Sequence, residues 1–352
     1  MHPANDAWRP AQPGPMPPPW PVPRRRRPIK WIVGAAALLA VIAITAEIAV
    51  HWDRRQRAVA APQAATVSDI ASANDIGPVG IITEDPSCAP WGPIATTRIA
   101  ATKNGWHERD RSIPASAWTP EIQQQYHEAG LAIRKAADQA VPLAKLTTHR
   151  VMRELYGQFT AFARSYVDRI PTYQPRDDIA AVASTTIAEV ITDVCNAIVT
   201  GSAAARAHMI EPIQSPNQTN HIGNLAHPAI FAVNSASDFL AWRIALNRYT
   251  NDPKVLKWAQ TNPNLSRWQW PEEQRTTTAE AVPIFERFAD ALERIGTKTS
   301  NAILRDLALL SVQYRRAYIR AIDTYVPSDD HLYKVGQYSP GIVLAACDSS
   351  AT

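Results

Sequence analysis

The chain has 352 residues, 46% of them apolar, with 13 glycines and a formal net charge of +4. A glycine-poor, alanine-rich chain of this length favours a helical domain with a sizeable core over a turn-rich β architecture. The charge does not mark a nucleic-acid binder. Residues 1–30 carry six basic side chains and one acidic, and residues 51–352 sum to zero, so the main domain has no electrostatic footprint for phosphates.

Residues 1–28 read as a Pro/Arg-rich tail, with nine prolines in the first 23 positions and no apolar periodicity, the pattern of a disordered or polyproline II segment. Residues 29–51 read as a transmembrane helix. Its apolar stretch, Trp31–Val50, holds one ionisable residue, Glu47, and a helix of that length spans roughly 30 Å, the thickness of a bilayer's hydrocarbon core. Arg24–Arg27 and Lys30 precede it; Arg54, Arg55 and Arg57 follow, with Asp53 among them. Positive charge stays inside, so the N-terminus is expected in the cytoplasm and the main domain outside it. Ala58-Val59-Ala60 resembles a signal cleavage box, but the apolar run is too long and the arginines after it too many for a cleaved signal. Ala36 and Ala40 form a small-xxx-small pair that permits close helix approach. Residues 52–86, rich in Ala, Ser and Pro, read as a linker.

Beyond the linker the chain resembles itself at a shift of 152 residues. Trp106 meets Trp258, Trp118 meets Trp270, Asp138 meets Asp290, Arg153 meets Arg305, Arg164 meets Arg316, Tyr166 meets Tyr318, Tyr173 meets Tyr325, Asp178 meets Asp330 and Cys195 meets Cys347; with a slip of one, Trp91 meets Trp242. Self-similarity at a fixed long period indicates one structural unit used twice. Each unit reads as three helices. The first runs from about Thr119, with Tyr126, Ala129, Ile133, Ala136, Ala140 and Leu143 on one stripe. The second carries Val151, Leu155, Phe159, Phe162 and Tyr166, and the third opens after Pro175 or Pro327. These are helical periods. The expected fold is therefore all-α: a single transmembrane helix, then an extracytoplasmic domain of two three-helix units over 87–202 and 236–349, joined by a loop over 203–235.

The strings SIPASAWTPE, HRVMRELYGQF, RIPTYQPRDD and SVQYRRAYIRAIDTY, behind a Pro-rich tail and one span, resemble a group of mycobacterial and other actinobacterial single-pass membrane proteins with no assigned activity. The resemblance covers most of residues 20–350. It implies a bacterial cell-envelope location and carries no catalytic residue.

Candidate chemistry is sparse. His221 and His227 lie in a loop with no Cys, Asp or Glu close by to complete a metal site. Asp177-Asp178 and Asp329-Asp330-His331 follow prolines and open helices, where capping acids belong. His107-Glu108-Arg109-Asp110 has the side chains of an acid–base site but no counterpart in the second unit, and reads as surface. Serine-hydrolase, phosphate-loop and His-Glu-x-x-His patterns are absent. No cofactor, metal, nucleic acid or enzymatic activity is expected. The repeated tryptophans at 91, 106 and 118 and their partners read as core residues that pin the N-terminal arm of each unit onto its helices. Trp268 and Trp270 are the candidate interaction surface, since exposed aromatics dominate binding hot spots; for Trp270 the core reading is the stronger, for Trp268 the two stand level. Asp138 with Arg153, and Asp290 with Arg305, are expected to pair across each helical hairpin.

The three cysteines, Cys88, Cys195 and Cys347, all follow the span and would face an oxidising compartment, where one disulfide can form. Cys88 with Cys195 is the expected bond if the head of a unit packs beside the end of its own third helix. Cys195 with Cys347 is the competing one. The function expected is a membrane-anchored extracytoplasmic interaction or scaffold protein with a protein partner in the envelope. The alternative is a tethered domain that binds a lipid-like or other apolar ligand in a dry cavity.

Overall fold

The computed structural model describes residues 69–350, apart from 104, 215–218, 220, 233 and 234. The expected tail, span and first part of the linker lie outside the described residues. Ten α-helices and no extended strand occur among the described residues. They are α1 (Cys88–Ala101), α2 (Pro120–Leu146), α3 (Arg150–Arg169), α4 (Asp178–Val199), α5 (Ser202–Ala207), α6 (Ala236–Thr250), α7 (Pro253–Trp258), α8 (Glu272–Lys298), α9 (Ala302–Ala321) and α10 (Asp330–Ser350).

The bounds of α2 and α3 plus 152 are those of α8 and α9, and the start of α4 plus 152 is the start of α10. Local chemistry explains the repetition. Pro120 occupies a position where the missing N–H would be unpartnered anyway, and Thr119 accepts from the Ile122 amide at 3.4 Å. Before α4 and α10 the side chains of Asp177 and Asp329 accept from the amides of Gln174 and Val326 at 2.8 and 3.1 Å, so these acids are caps. The stripe Tyr126, Ala129, Ile133, Ala136, Ala140 and Leu143 is buried on α2, as are Ala281, Phe285, Phe288 and Leu292 on α8. Each hairpin, α2–α3 and α8–α9, adds its third long helix. The most extensive helix pairing, α4 against α10, joins the two halves. Pro175–Val199 is the one described helix long and apolar enough to cross a membrane, but it belongs to this core, with 56% of its apolar window buried.

Four expectations need correction. The linker ends well before residue 86: Ser72, Val79 and Ile82 are buried, and Val79 bridges to Ile213. This arm is pinned because Arg150 donates to the Asp75 carbonyl at 2.7 Å and Arg153 to that of Ser72 at 2.6 Å. Second, each half has a further helix at its head, α1 or α6, and the second half also has the short α7. Pro90 and Pro93 hid α1, and both helices are buried at few positions, so no clean apolar stripe announced them. Third, the loop expected over 203–235 contains most of α5.

Fourth, Asp138 pairs with Arg164 at 2.7 Å and Asp290 with Arg316 at 2.9 Å, not with Arg153 and Arg305. Helical side chains lean toward their own N-terminus. In an antiparallel hairpin, Asp138 therefore leans away from the turn while an arginine on the return helix leans toward it, so the partner lies further along than a level count suggests. Arg153 instead holds the arm, and Arg305 lies beside Asp306, with 3.5 Å between Nε and Oδ1.

Cys88 and Cys195 form a disulfide, with Cα atoms 5.2 Å apart across a separation of 107 residues. The bond fastens the start of α1 to α4. Cys347 is a free, buried thiol, pushed up to about 11 first by desolvation and then by the neighbouring Asp348.

Candidate functional site

Helices α6 and α8 diverge enough to leave an open groove of about 720 Å³. Its floor is apolar: Ala241, Ile244, Ala245, Ile284, Phe288 and Ile295. Ile244 is 51% exposed, and Leu240, one turn earlier on α6, is 60% exposed. Apolar side chains exposed together beside an apolar groove are the kind of patch that marks an interaction surface.

The walls are charged, and the two signs are not equivalent. Of the acids, Asp290 is bound to Arg316, Asp238 accepts from Thr299 Oγ1 at 2.7 Å, and Asp252 caps α7 by accepting from the Lys254 amide at 2.9 Å. The cations Arg248, Arg287, Arg294 and Lys298 are exposed and have no ion-pair partner among the described residues. Arg287, Arg294 and Lys298 recur along one face of α8, seven and then four residues apart. That spacing was readable in the sequence as a basic stripe beside an apolar one, and it is the signal that the search for catalytic motifs passed over. A greasy floor between free cations matches an amphipathic helix with acidic flanks. A sealed apolar cavity for a lipid-like ligand would lack those charges.

Other residues singled out in the sequence fall elsewhere. Trp268 is 79% exposed. Trp270 is not surface: it is 4% exposed, its indole N–H donates to the Leu265 carbonyl at 2.8 Å, and its ring lies 5.2 Å from that of Tyr325. The equivalent Trp118 donates to the Ile113 carbonyl at 2.9 Å and lies 5.4 Å from Tyr173. Both tryptophans staple the entry loop of a long helix to the end of its hairpin. His221 and His227 are exposed, and no cluster of three metal-ligating residues exists among the described residues. In the polar run, His107 contacts Thr102 Oγ1 at 3.1 Å, Asp110 accepts from the Ser112 amide at 2.9 Å, and Arg109 turns inward to pair with Asp178. These contacts are structural.

Where α3 meets α9, charge is buried. Arg150 donates to Asp306 at 2.6 Å, the two side chains being 1% and 0% exposed. Glu154, the counterpart of Asp306 at the shift of 152, is buried with neither carboxyl oxygen hydrogen-bonded. Burial, and after it the Asp306 carboxylate, push the Glu154 carboxyl well above the usual carboxylate range, against the pull of Arg150, Arg153 and Arg305. The cluster fastens the halves and the arm together: Arg150 binds Asp306 of the second half and the carbonyl of Asp75 in the arm.

The described residues form an all-α domain with an exposed apolar groove walled by Arg248, Arg287, Arg294 and Lys298. Comparison with known proteins supplies the family. Residues 70–351 match the family described as mycobacterial ESX-1 associated protein, and the chain belongs to that family. It is also 40% identical over 342 residues to an uncharacterised protein of Mycolicibacterium smegmatis (strain MKD8), an alignment covering 95% of this chain and 90% of that one. No solved structure matches it. The mycobacterial resemblance read from the sequence therefore holds at the level of the family, and the family name links the chain to a secretion system.

Proposed function

We propose that the chain is a membrane-tethered docking protein of an ESX-1-type secretion apparatus, and that its α6–α8 groove receives an acidic amphipathic helix of a partner protein. The observation that carries this reading is the groove itself: an apolar floor about 720 Å³ in volume, walled by four cations with no ionic partner among the described residues. The apolar span at 29–51 and its arginine flank favour anchoring with the N-terminus inside. A disulfide between Cys88 and Cys195 favours an oxidising, extracytoplasmic setting for the domain. The recurrence of element bounds at 152 residues favours a duplication, in which one half keeps a structural role and the other faces the partner.

The test is charge reversal. Arg287 and Arg294 are exposed, so Arg287→Glu with Arg294→Glu should leave the fold intact and lower export of ESX-1 substrates in a mycobacterium to the level of a deletion of this gene. Wild-type export by the doubly reversed protein would overturn the groove reading.

A further inference from the structure

The two halves build the same aromatic cage and fill it differently. In the first half the frame is Trp106, Trp118, Tyr166 and Tyr173; in the second it is Trp258, Trp270, Tyr318 and Tyr325, each displaced by 152 residues. The ring geometry repeats as well. Trp106 and Tyr166 stand edge to face at 6.3 Å, Trp258 and Tyr318 at 5.9 Å. Tyr166 and Tyr173 are 6.4 Å apart, Tyr318 and Tyr325 6.1 Å.

The first cage holds a cation supplied by the chain itself. The Arg109 guanidinium lies 3.6 Å from the centroid of the Trp106 ring and 5.5 Å from that of Tyr126, donates to the Trp106 carbonyl at 2.8 Å, and pairs with Asp178. In the second half Thr261 stands where Arg109 would, and Thr278 where Tyr126 would. Thr261 Oγ1 takes over the Trp258 carbonyl at 2.8 Å. Asp330 keeps the place of Asp178. The loss of two large side chains leaves a cavity of about 190 Å³, although Tyr333, which replaces Ala181, adds a wall 4.6 Å from Trp258. Two buried polar atoms lining it have no partner, Trp258 Nε1 and Thr278 Oγ1.

We propose that this open cage is a binding site for a guanidinium group brought from outside it, seated on the Trp258 and Tyr318 faces with Asp330 as counter-ion. The occupant of the first cage defines the chemistry, because a flat, weakly hydrated cation between aromatic faces and beside a carboxylate is what Arg109 is. The volume is below that of ordinary drug-sized pockets, which excludes a nucleotide or a lipid chain. Lys334 at the rim binds Asp330 at 3.0 Å. This does not close the site, since Asp178 serves two cations at once, Arg109 and Arg111. Arg267 lies 5.2 Å over the Trp270 ring and is not among the residues lining the cavity. The site is separate from the α6–α8 groove and does not depend on that groove's function.

Saturation-transfer NMR on the purified full-length protein tests the proposal, with three probes: methylguanidinium, the peptide Ac-Ala-Arg-Ala-amide, and methylurea as the neutral isostere. The expected result is saturable transfer to a cationic probe and none to methylurea. Equal response to both cations means that a free guanidinium suffices; response to the peptide alone means that the site reads a chain-borne arginine. Thr261→Arg should abolish binding by filling the cage from within. Asp330→Asn should weaken binding about tenfold, and Lys334→Met should strengthen it by removing the competing cation. The opposite signs of those two changes hold the test open even if Thr261→Arg fails to fold. Absence of transfer to either cation, equal binding of methylurea, or a wild-type response from both Asp330→Asn and Lys334→Met would overturn it.

Discussion

The groove of the second half and its counterpart in the first lie at equivalent places in the two halves, but their linings differ: Lys135 gives way to Arg287, Ala136 to Phe288 and Thr97 to Arg248. Between α1 and α2 the hollow is about 250 Å³, with Arg98 lying at its edge and itself 5% exposed. Between α6 and α8 it is about 720 Å³ and open, with Tyr249 in the place of Arg98 at the one-residue slip. The aromatic cages diverge in the same direction: Arg109 plugs the first, and the second stands open. The head of the first half is tied by a disulfide, while the corresponding end of the second keeps a free thiol. In the first half the hollow is smaller, the cage is filled and the head is cross-linked; in the second the groove is larger, the cage is open and the thiol is free. That contrast is what the proposed docking role predicts if one copy secures the domain and the other meets ligands.

The largest effect should come from Cys88→Ser with Cys195→Ser. Opening a closed loop of that length costs about 4–5 kcal/mol on the chain-entropy model, whereas Cys347→Ala should cost far less; urea denaturation with and without reductant reads both. Iodoacetamide at pH 8 should leave Cys347 unmodified until the protein unfolds, because the thiol is buried and desolvation pushes it up to about 11. Next comes Arg109→Met, which empties the Trp106 face and leaves Asp178 only the half-exposed Arg111 as a partner; it should cost about 2–3 kcal/mol, short of the full cost of a stranded buried charge, while Thr261→Val should cost less than about 1 kcal/mol. Equal costs would erase the distinction between a filled and an open cage.

Glu154 gives a pH signature. Its folded-state value is raised, so the folded protein retains a proton that the unfolded chain releases. The stability it supports is full below the ordinary glutamate value near about 4.3 and declines as pH rises toward the raised value. Glu154→Gln, facing Asp306, Arg150, Arg153 and Arg305 without a titrating proton, should flatten the fall in stability as pH rises above the ordinary glutamate range. An unchanged slope would show that the decline arises elsewhere. The smallest effect belongs to the hairpin pairs. Asp138 and Asp290 have side chains 54% and 53% exposed, so Asp138→Asn and Asp290→Asn should each change stability by no more than about 1 kcal/mol.

Much of the fold was legible because its long helices carry stripes of period 3.6 and begin at Pro and Asp caps. The helical stretches around Tyr126, Leu155 and Ile187, and the closeness of Cys88 to Cys195, could be reasoned from those signals. The short head helices could not, since Pro90 and Pro93 lie inside α1 and its buried side is narrow. Nor could the arm before residue 86, whose Ala and Ser content looks like a linker until Arg150 and Arg153 are seen to hold its carbonyls. The site was less legible than the fold. Trp270, read as core by its recurrence and as surface by its exposed neighbour Trp268, is packed under its own loop. Arg109 looked like solvated charge and is a core cation. The groove depends on the separation of α6 and α8, which no local pattern encodes, although the arginines at 287 and 294 already stood on one face.

The central claim is that the second half, not the first, faces a partner. The most direct measurement is site-specific photo-crosslinking in a mycobacterium, with p-benzoylphenylalanine placed at Ile244 in the α6–α8 groove or at Leu131, 59% exposed beside the α1–α2 hollow. The account predicts a discrete adduct from position 244, mapping by mass spectrometry to an acidic amphipathic segment of another protein, and no such adduct from position 131. Adducts of equal strength and identity from both positions, or a segment of basic character at 244, would contradict it.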